Sequence, residues 1–242
     1  MNNHELTQAA NLRRSRRKYL DQAIAPDVQE KLQAFADAYG AAGDMRIELV
    51  FNDGTAFAGF RKSYGLLTGV QHYAGLIAKR GCSIAEEKMG YFGELFMLQA
   101  VALGLGTCWV GGSFRRADCP FELADDEQLY CAITLGHCAP DDNARERFIQ
   151  SMTHRRTKRA EDMMAAANNA PDWFVAGVQA VERAPSARNL QPWMFSYQDD
   201  MACVTLVNSR SWVDLGIAKL HFALGAGAGT WQWGDGGAFT RE

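Results

Sequence analysis

The sequence lacks the residue patterns that bind metal ions. Its six cysteines contain no Cys-x-x-Cys pair, and its five histidines form neither a His-x-x-x-His nor a His-Glu-x-x-His arrangement. Because a structural zinc site needs several such ligands at close spacing, a metal site is not expected. With no secretion signal, the cysteines are expected to be reduced, and most to be small core residues, like Cys131 in a strand-like apolar run.

Long hydrophobic runs and a strong net charge are also missing. No apolar run approaches the roughly 20 residues that a membrane span needs, and the N-terminus is polar rather than signal-like. The net charge is −3, which does not favour attraction to nucleic acid or to an anionic membrane. We therefore expect a cytoplasmic protein whose partners include neither nucleic acid nor a membrane.

What the sequence does contain is an alternation of helical and extended segments over 242 residues, enough for one large domain or two small ones. Pro26 and the glycines within 40–43 predict that Asp27 caps a helix over 28–39. The same reasoning predicts further helices over 4–13, 89–103, 172–183 and 213–224, and strands over 45–51, 70–78, 131–136, 194–198 and 202–207.

Two blocks of the second part repeat blocks of the first. Pro26-Asp27, its helix and the following strand match Pro171-Asp172 and its helix and strands, at an offset of 145 residues. The helix end at 103–107 (Leu-Gly-Leu-Gly-Thr) matches the one at 226–230 (Ala-Gly-Ala-Gly-Thr), at an offset of 123 residues. These matches predict an internal duplication with a first half over 1–163 and a shorter second half over 164–242.

The first segment that could carry chemistry is Arg-Arg-Ser-Arg-Arg-Lys-Tyr at 13–19. One interpretation is a solvated basic turn, or a patch for RNA or for localisation. The other is a phosphate site, because guanidinium groups pair with phosphate oxygens and a serine hydroxyl adds a donor. The acidic net charge of the chain favours the phosphate site.

The second segment is Leu-Gly-Leu-Gly-Thr-Cys-Trp-Val-Gly-Gly at 103–112, where a predicted helix turns into an extended segment. Its glycines could form only a helix C-cap and a tight turn. Alternatively, the segment could lay bare backbone against a flat ring, so that amide groups reach the heteroatoms of the ring.

The third segment is the loop Ala-Pro-Ser-Ala-Arg-Asn-Leu-Gln-Pro-Trp-Met-Phe at 184–195. It could be an ordinary connection between a helix and a strand, with Trp193 and Phe195 buried. However, Ser186, Asn189 and Gln191 stand between two prolines, and a rigid loop rich in donors suits recognition of a polar ligand.

Together the three segments resemble the motifs of the FMN-dependent nitroreductase family, and they are spread over most of the chain. The resemblance implies an α+β fold, with a mixed, largely antiparallel sheet surrounded by helices and, in this chain, two pseudo-symmetric halves. Members of the family are normally homodimers with two FMN at the interface. They use flavin chemistry, so no catalytic side chain is demanded.

By that resemblance, the arginine–serine segment would hold the flavin phosphate and ribityl chain, with Arg14 contributing mainly backbone. The glycines would lie near the N5 edge of the ring, and the proline-rich loop would approach from the opposite protomer. The resemblance thus assigns cofactor binding to Arg13, Arg14, Ser15, Arg17, Gly111, Gly112, Pro185, Ser186 and Asn189, with Lys158 and Arg159 as further phosphate partners. Phe60, Tyr64, Tyr73 and Trp109 are candidate pocket aromatics, of which at least half are expected to be core.

The order of the motifs departs from that of ordinary family members. In those proteins the proline-rich loop follows the arginine motif within some tens of residues, whereas the equivalent place here, 40–46, has no trace of it. The loop lies instead in the second half, which lacks an arginine–serine motif. The chain therefore resembles a subgroup in which one chain takes the place of the homodimer. We expect one FMN per chain, and a monomer or a weak homodimer.

The resemblance implies NADH- or NADPH-dependent, two-electron reduction of a small nitroaromatic, quinone-like or related acceptor by a ping-pong mechanism. The fold does not fix the reaction. A flavin-binding sensor with little turnover, and an enzyme of another reaction such as flavin destruction or reductive dehalogenation, remain alternatives. An RNA-binding protein with a basic patch is a third interpretation, and it predicts a colourless protein.

Overall fold

The computed structural model describes residues 3–58, 67–139, 157–165 and 169–241. The helices in these ranges are α1 (Asn3–Leu12), α2 (Pro26–Gly43), α3 (Ser83–Ala102), α4 (Asp172–Val181) and α5 (Trp212–Ala226). The strands are β1 (Arg46–Val50), β2 (His72–Lys79), β3 (Gly106–Val110), β4 (Glu127–Gly136), β5 (Met164–Ala165), β6 (Trp193–Gln198), β7 (Met201–Leu206), β8 (Gly229–Trp231) and β9 (Ala238–Arg241). Within these ranges, none of the helices has the length and apolar character needed to cross a membrane.

The strands form two sheets, and the predicted α+β class with largely antiparallel pairing is confirmed. The first sheet has the order β1-β2-β4-β3 and the second has the order β5-β6-β7-β9-β8. All pairs between neighbouring strands are antiparallel except the short pair of β5 with β6.

The chain divides into two compact units, each built around one sheet. We call them the first sheet unit (Leu12–Gly81 and Phe96–Thr153) and the second sheet unit (Met1–Asn11, Cys82–Leu95 and His154–Glu242). These units describe compactness, whereas the predicted halves 1–163 and 164–242 describe a duplication. The boundary of the duplication stays a prediction.

The same succession of elements occurs twice along the chain. In the first succession, α2-β1-β2-α3-β3-β4, the strands pair in the order β1-β2-β4-β3; in the second, α4-β6-β7-α5-β8-β9, they pair in the order β6-β7-β9-β8. Gly104 and Gly227, which precede β3 and β8, both have positive φ angles, +83° and +95°. Topology and backbone therefore agree with the two matched blocks of the sequence.

The two units have different cores. In the first, β2 is buried along all but its last residue because it pairs on both sides, and Tyr73 of β2 packs at 5.1 Å edge-on to Phe57. In the second, Phe222 of α5 stacks on Phe195 of β6 at 5.2 Å and contacts Trp231 of β8 at 5.1 Å. The prediction that Trp193 and Phe195 are buried is confirmed.

Helices α3 and α5 approach each other closely inside the second sheet unit. A β-carbon added to Gly90 would lie 2.0 Å from the carbonyl oxygen of Val213, and one added to Gly216 would lie 1.8 Å from that of Glu87. At the offset of 123 residues, Val213 corresponds to Gly90 itself. A residue that meets its own counterpart is the pattern expected where two copies of one helix cross on a two-fold axis.

Several predicted boundaries are wrong. Helix α2 begins at Pro26 with Ala25 as N-cap, so Asp27 does not cap it but lies in its first turn. The helix also runs through Gly43 and ends at Asp44, which has a φ of 53°. Helix α3 begins at Ser83 rather than at 89. The predicted start is too late because the first turns of the helix are polar and carry no apolar periodicity. Strands β5, β8 and β9 were not predicted, since two to four residues are too few for an alternation to be visible.

The helix crossing predicts that Gly90→Ala destabilises the protein. The added methyl group meets a backbone carbonyl that cannot move aside, at a cost of about 1–3 kcal/mol, which exceeds the gain of about 1 kcal/mol from the helix propensity of alanine. We expect a lower urea midpoint for this variant, while Glu30→Ala, on the exposed side of α2, stays within about 0.5 kcal/mol of the parent. An unchanged midpoint for Gly90→Ala would contradict the crossing.

Candidate functional site

The arginine–serine segment is extended and lies beside β3 in the first sheet unit. Ser15 forms a parallel β-bridge with Thr107, and the backbone N–H of Arg16 donates to the Thr107 carbonyl at 2.8 Å. Arg13, Ser15, Arg16 and Arg17 are all half-buried, whereas Arg14 is exposed.

Two guanidinium groups converge on Ser15. Nη1 of Arg13 donates to the Ser15 hydroxyl at 3.4 Å, and Nη1 of Arg17 donates to the Ser15 carbonyl at 3.4 Å. The side chain of Arg16 is used differently, because its Nη2 donates to the Ala139 carbonyl at 2.8 Å. The segment therefore gathers two positive charges and a hydroxyl group within a few ångströms, which suits a phosphate group.

Tyr19 fastens this segment to the middle of the sheet. Its buried hydroxyl donates to the Arg16 carbonyl at 2.9 Å and lies 2.6 Å from the Thr134 hydroxyl. The Thr134 hydroxyl can donate its single proton to the Tyr19 oxygen or to the Cys108 carbonyl, which lies 3.3 Å away. The chain of hydroxyl groups thus connects the segment to β4 and β3 without leaving the interior.

The glycine turn, which we define as Gly111-Gly112, follows β3 directly. Both residues are exposed, and a β-carbon on either would meet no atom within 4 Å. Neither has the positive φ that requires glycine at Gly104 and Gly227. The described protein atoms therefore leave the backbone of this turn uncovered, with room beside it for another group.

The proline-rich loop, residues 185–192, belongs to the second sheet unit and has an unusual backbone. Arg188, Asn189 and Gln191 have positive φ angles of 53°, 51° and 45°. Each such residue costs on the order of 1–3 kcal/mol, so the surrounding structure must hold the loop in place. Strain of this kind concentrates at functional sites.

Internal hydrogen bonds and one distant carboxylate hold the loop. The Ser186 hydroxyl accepts from the Gln191 N–H at 3.0 Å, and the Ala187 N–H donates to Oδ1 of Asp214 at 3.0 Å. Asp214 lies in the first turn of α5 and is 4% exposed. Burial raises the pKa of its carboxyl group above the ordinary value of 3.8, against the opposing effect of the Ala187 hydrogen bond.

Lys158 also holds the loop. Its Nζ donates to the Gln191 carbonyl at 2.7 Å, and its backbone N–H donates to Oε1 of Gln191 at 3.0 Å. Lys158 and Arg159, with Thr157 and Asp162, line an open cavity of about 440 Å³. The two cations therefore lie beside the loop, with the Lys158 ammonium engaged by a carbonyl group.

The predicted site residues thus form two groups. Arg13, Arg14, Ser15, Arg17, Gly111 and Gly112 lie along the edge of β3 in the first sheet unit, and Lys158, Arg159, Pro185, Ser186 and Asn189 lie around the loop in the second. The convergence of both groups on one cofactor stays a prediction.

The candidate pocket aromatics divide differently. Tyr73 is buried in the core of the first sheet unit, Trp109 is half-buried in β3, and Phe60 and Tyr64 lie outside the described residues. Sequence reasoning also missed Asp214 and Arg116, which contact the two motif segments through backbone groups. Contacts between distant residues of this kind leave no pattern in the sequence.

Metal ligands are not gathered anywhere in the parts of the chain that the structure describes, where no group of three or more His, Cys, Asp or Glu side chains could hold an ion. What the two groups offer are cations, hydroxyl groups and backbone donors. Each group by itself offers donors that suit an anionic ligand.

The fold and the two motif groups define a protein of the nitroreductase class. Residues 5–226 match the model of the family described as "Putative TM nitroreductase". Because this match covers nearly the whole chain, the chain belongs to that family, and the resemblance inferred from the motifs is confirmed. Nitroreductases are oxidoreductases, so membership supports an enzyme of this class. A search of curated proteins found no match.

The solved structures to which this chain is similar include nitroreductases. A "putative nitroreductase" from Thermotoga maritima MSB8 has 20% sequence identity and a TM-score of 0.64, over 99% of this chain and 92% of that chain. An FMN-dependent nitroreductase from Clostridium difficile R20291 has 19% identity and a TM-score of 0.44, over 62% of this chain and 98% of that one. A "putative nitroreductase" in complex with FMN from Desulfovibrio desulfuricans has 20% identity and a TM-score of 0.43, over 59% and 94%.

The raised pKa of Asp214 predicts a pH-dependent effect of Asp214→Asn. A carboxyl group whose pKa is higher in the folded than in the unfolded chain destabilises the fold as pH rises, since ionisation in the interior is costly. Asparagine keeps an oxygen for the Ala187 N–H but carries no charge. We expect the free energy of unfolding of the variant, relative to the parent, to rise between pH 4 and pH 7.

A matched control is Asp53→Asn, because the pKa of Asp53 is lowered by its hydrogen bonds to Thr55. For this half-buried residue any difference has the opposite sign, with the variant losing stability relative to the parent as pH rises. Urea unfolding at several pH values measures both variants. A difference for Asp214→Asn that stays flat or falls with pH would contradict the assignment.

Proposed function

We propose that the chain is an FMN-dependent oxidoreductase that transfers two electrons from NADH or NADPH to a small nitroaromatic, quinone-like or related acceptor. The observation that carries the proposal is the pairing of the arginine–serine segment with β3, the strand that ends in the glycine turn. One edge of the first sheet unit therefore offers a site for an anionic group and, a few residues further along the strand, bare backbone for a planar one.

The arginine–serine segment supports the phosphate end. Arg13 and Arg17 would bind the phosphate through charge-assisted hydrogen bonds, and the Ser15 hydroxyl, already within reach of Arg13, would add a donor. Arg14, whose side chain is exposed, would contribute through its backbone. Lys158 and Arg159 are further candidates for the same anion.

The glycine turn supports the ring end. Without side chains, Gly111 and Gly112 let a flat ring lie against the backbone, and the space that their β-carbons would occupy contains no other described atom. When bound, FMN supplies the two-electron hydride chemistry. The glycine turn would position the ring, and Arg13 and Arg17 would supply positive charge at the phosphate end of the cofactor.

The proline-rich loop of the second sheet unit would contact the same FMN through Pro185, Ser186 and Asn189. In the family this loop comes from the opposite protomer, so a single chain would supply both sides of one site. The repeated order of elements and the crossing at Gly90 and Val213 support this origin by duplication. We therefore propose one FMN per chain and a chain that works as a monomer or a weak homodimer.

The first test of the proposal is flavin binding. The purified chain should be yellow, and Arg17→Ala should weaken FMN binding by about 10–100-fold, because a hydrogen bond to a charged group contributes about 1.5–3 kcal/mol. Lys31→Ala, which removes an exposed ion pair with Asp27, serves as the control with unchanged affinity. A colourless parent that binds no added FMN would exclude the proposal.

The second measurement is anaerobic stopped-flow mixing of the FMN-loaded chain with NADPH or NADH. Loss of the flavin absorption band with one of them, and its return on addition of a quinone or nitroaromatic acceptor, is the expected result. A flavin that stays oxidised with both nucleotides would identify a flavin-binding protein without reductase activity.

A further inference from the structure

We infer that Arg116 is a positioning residue that fixes the glycine turn and thereby the direction of the Gly112 N–H. The role of the Gly112 N–H in flavin binding rests on the proposed function. The contacts of Arg116 with the glycine turn lie entirely within the first sheet unit. Arg116 is not part of the motifs that indicated a flavin site, and it touches neither the arginine–serine segment nor the proline-rich loop in any contact that the described residues show.

The guanidinium group of Arg116 connects the turn to the adjacent strand. Its Nη2 donates to the Gly111 carbonyl at 2.7 Å and to the Tyr130 carbonyl at 2.5 Å, and its Nε donates to the Leu129 carbonyl at 2.9 Å. Leu129 and Tyr130 belong to β4, which pairs with β3. The turn that follows β3 is therefore tied back to the neighbouring strand.

Phe114 holds the guanidinium group itself in place. The Arg116 guanidinium lies 4.9 Å from the centre of the Phe114 ring, a cation–π arrangement. Phe114 is 5% exposed and stacks on Phe57 at 5.5 Å. The guanidinium group of Arg116, an exposed residue, thus rests on one side against an aromatic ring of the hydrophobic core.

A fixed Gly111 carbonyl determines where the next N–H points. The described peptide bonds include no cis bond, and in a planar trans peptide the C=O of one residue and the N–H of the next point in opposite directions. With the Gly111 carbonyl directed at Arg116, the Gly112 N–H is directed away from it. A donor aimed in advance at its acceptor needs no reorganisation when a ligand binds.

The second sheet unit provides an independent instance of a cation on the corresponding carbonyl. At the offset of 123 residues, Gly234 is the counterpart of Gly111. Its carbonyl accepts a hydrogen bond from Nζ of Lys219 at 2.9 Å. Lys219 is fully buried and also donates to the Gln232 carbonyl at 2.8 Å. The two units therefore hold the same position of the turn with unrelated cations that come from different elements.

The planar fork of arginine is needed for the three carbonyl contacts in the first sheet unit. A lysine ammonium group is a point charge on a flexible stem and does not reproduce a fork of several parallel donors. Arg116→Lys should therefore keep the charge and part of the contact with Phe114 but lose the fixed geometry. Arg115→Ala is a matched control, since the neighbouring Arg115 is exposed and pairs with Asp118 at 3.6 Å instead of with the turn.

The test uses the full chain in two states. Without flavin, the NMR order parameter of the Gly112 amide should be near 0.85 in the parent and in Arg115→Ala, and below about 0.6 in Arg116→Ala. With FMN, Arg116→Ala should bind about 10–100-fold more weakly, as for other residues that orient a binding group, with Arg116→Lys in between. The flavin reduction potential should shift in Arg116→Ala and stay constant in Arg115→Ala.

The inference is overturned if Arg116→Ala, or Arg116→Lys should the alanine variant not fold, matches Arg115→Ala in both the Gly112 order parameter and FMN affinity. Failure of the proposed function has a different signature. A parent chain that binds no FMN excludes the flavoprotein, while the order parameter still shows whether Arg116 fixes the turn.

Discussion

The hydrogen bond from the Arg16 N–H to the Thr107 carbonyl, at 2.8 Å, is the contact on which the candidate site depends. It joins a segment near the N-terminus to β3, the strand that follows helix α3. Arg13, Ser15 and Arg17 are thereby held half-buried beside that strand, and the buried Tyr19 hydroxyl contacts the same segment from the interior. Without this pairing, the arginines would form only a basic patch, and the glycine turn would be an isolated end of a strand.

The proline-rich loop is also held by contacts from outside it, but these contacts stabilise a strained backbone and do not form a strand pairing. Three left-handed residues within four positions are unfavourable on their own, and they persist because Lys158, Asp214 and internal hydrogen bonds specify the loop from several directions. Asp214 remains buried although burial raises the pKa of its carboxyl group. A strained loop held by a costly carboxylate is more easily explained by a binding role than by stability alone.

Much of the fold could be predicted from the sequence, because the long helices and strands carry clear periodicity and the two matched blocks reappear as the same strand order in both sheets. The predicted range of helix α3 is too short because the first turns of the helix are polar. Strands β8 and β9 are not predicted because they are too short to show an alternation of apolar and polar residues. The motif residues were found, but Arg116 and Asp214 were not. Their contacts are with backbone groups distant in the sequence. Because every residue type has backbone groups, such a contact produces no recognisable residue pattern in the sequence.

The central proposal is that one chain binds one FMN. Native mass spectrometry of the protein reconstituted with excess FMN and then freed of unbound flavin measures it most directly. We expect a single 26.7 kDa chain to retain one FMN. A ratio near two flavins per chain, or flavin retained only on a dimer of chains, would contradict it.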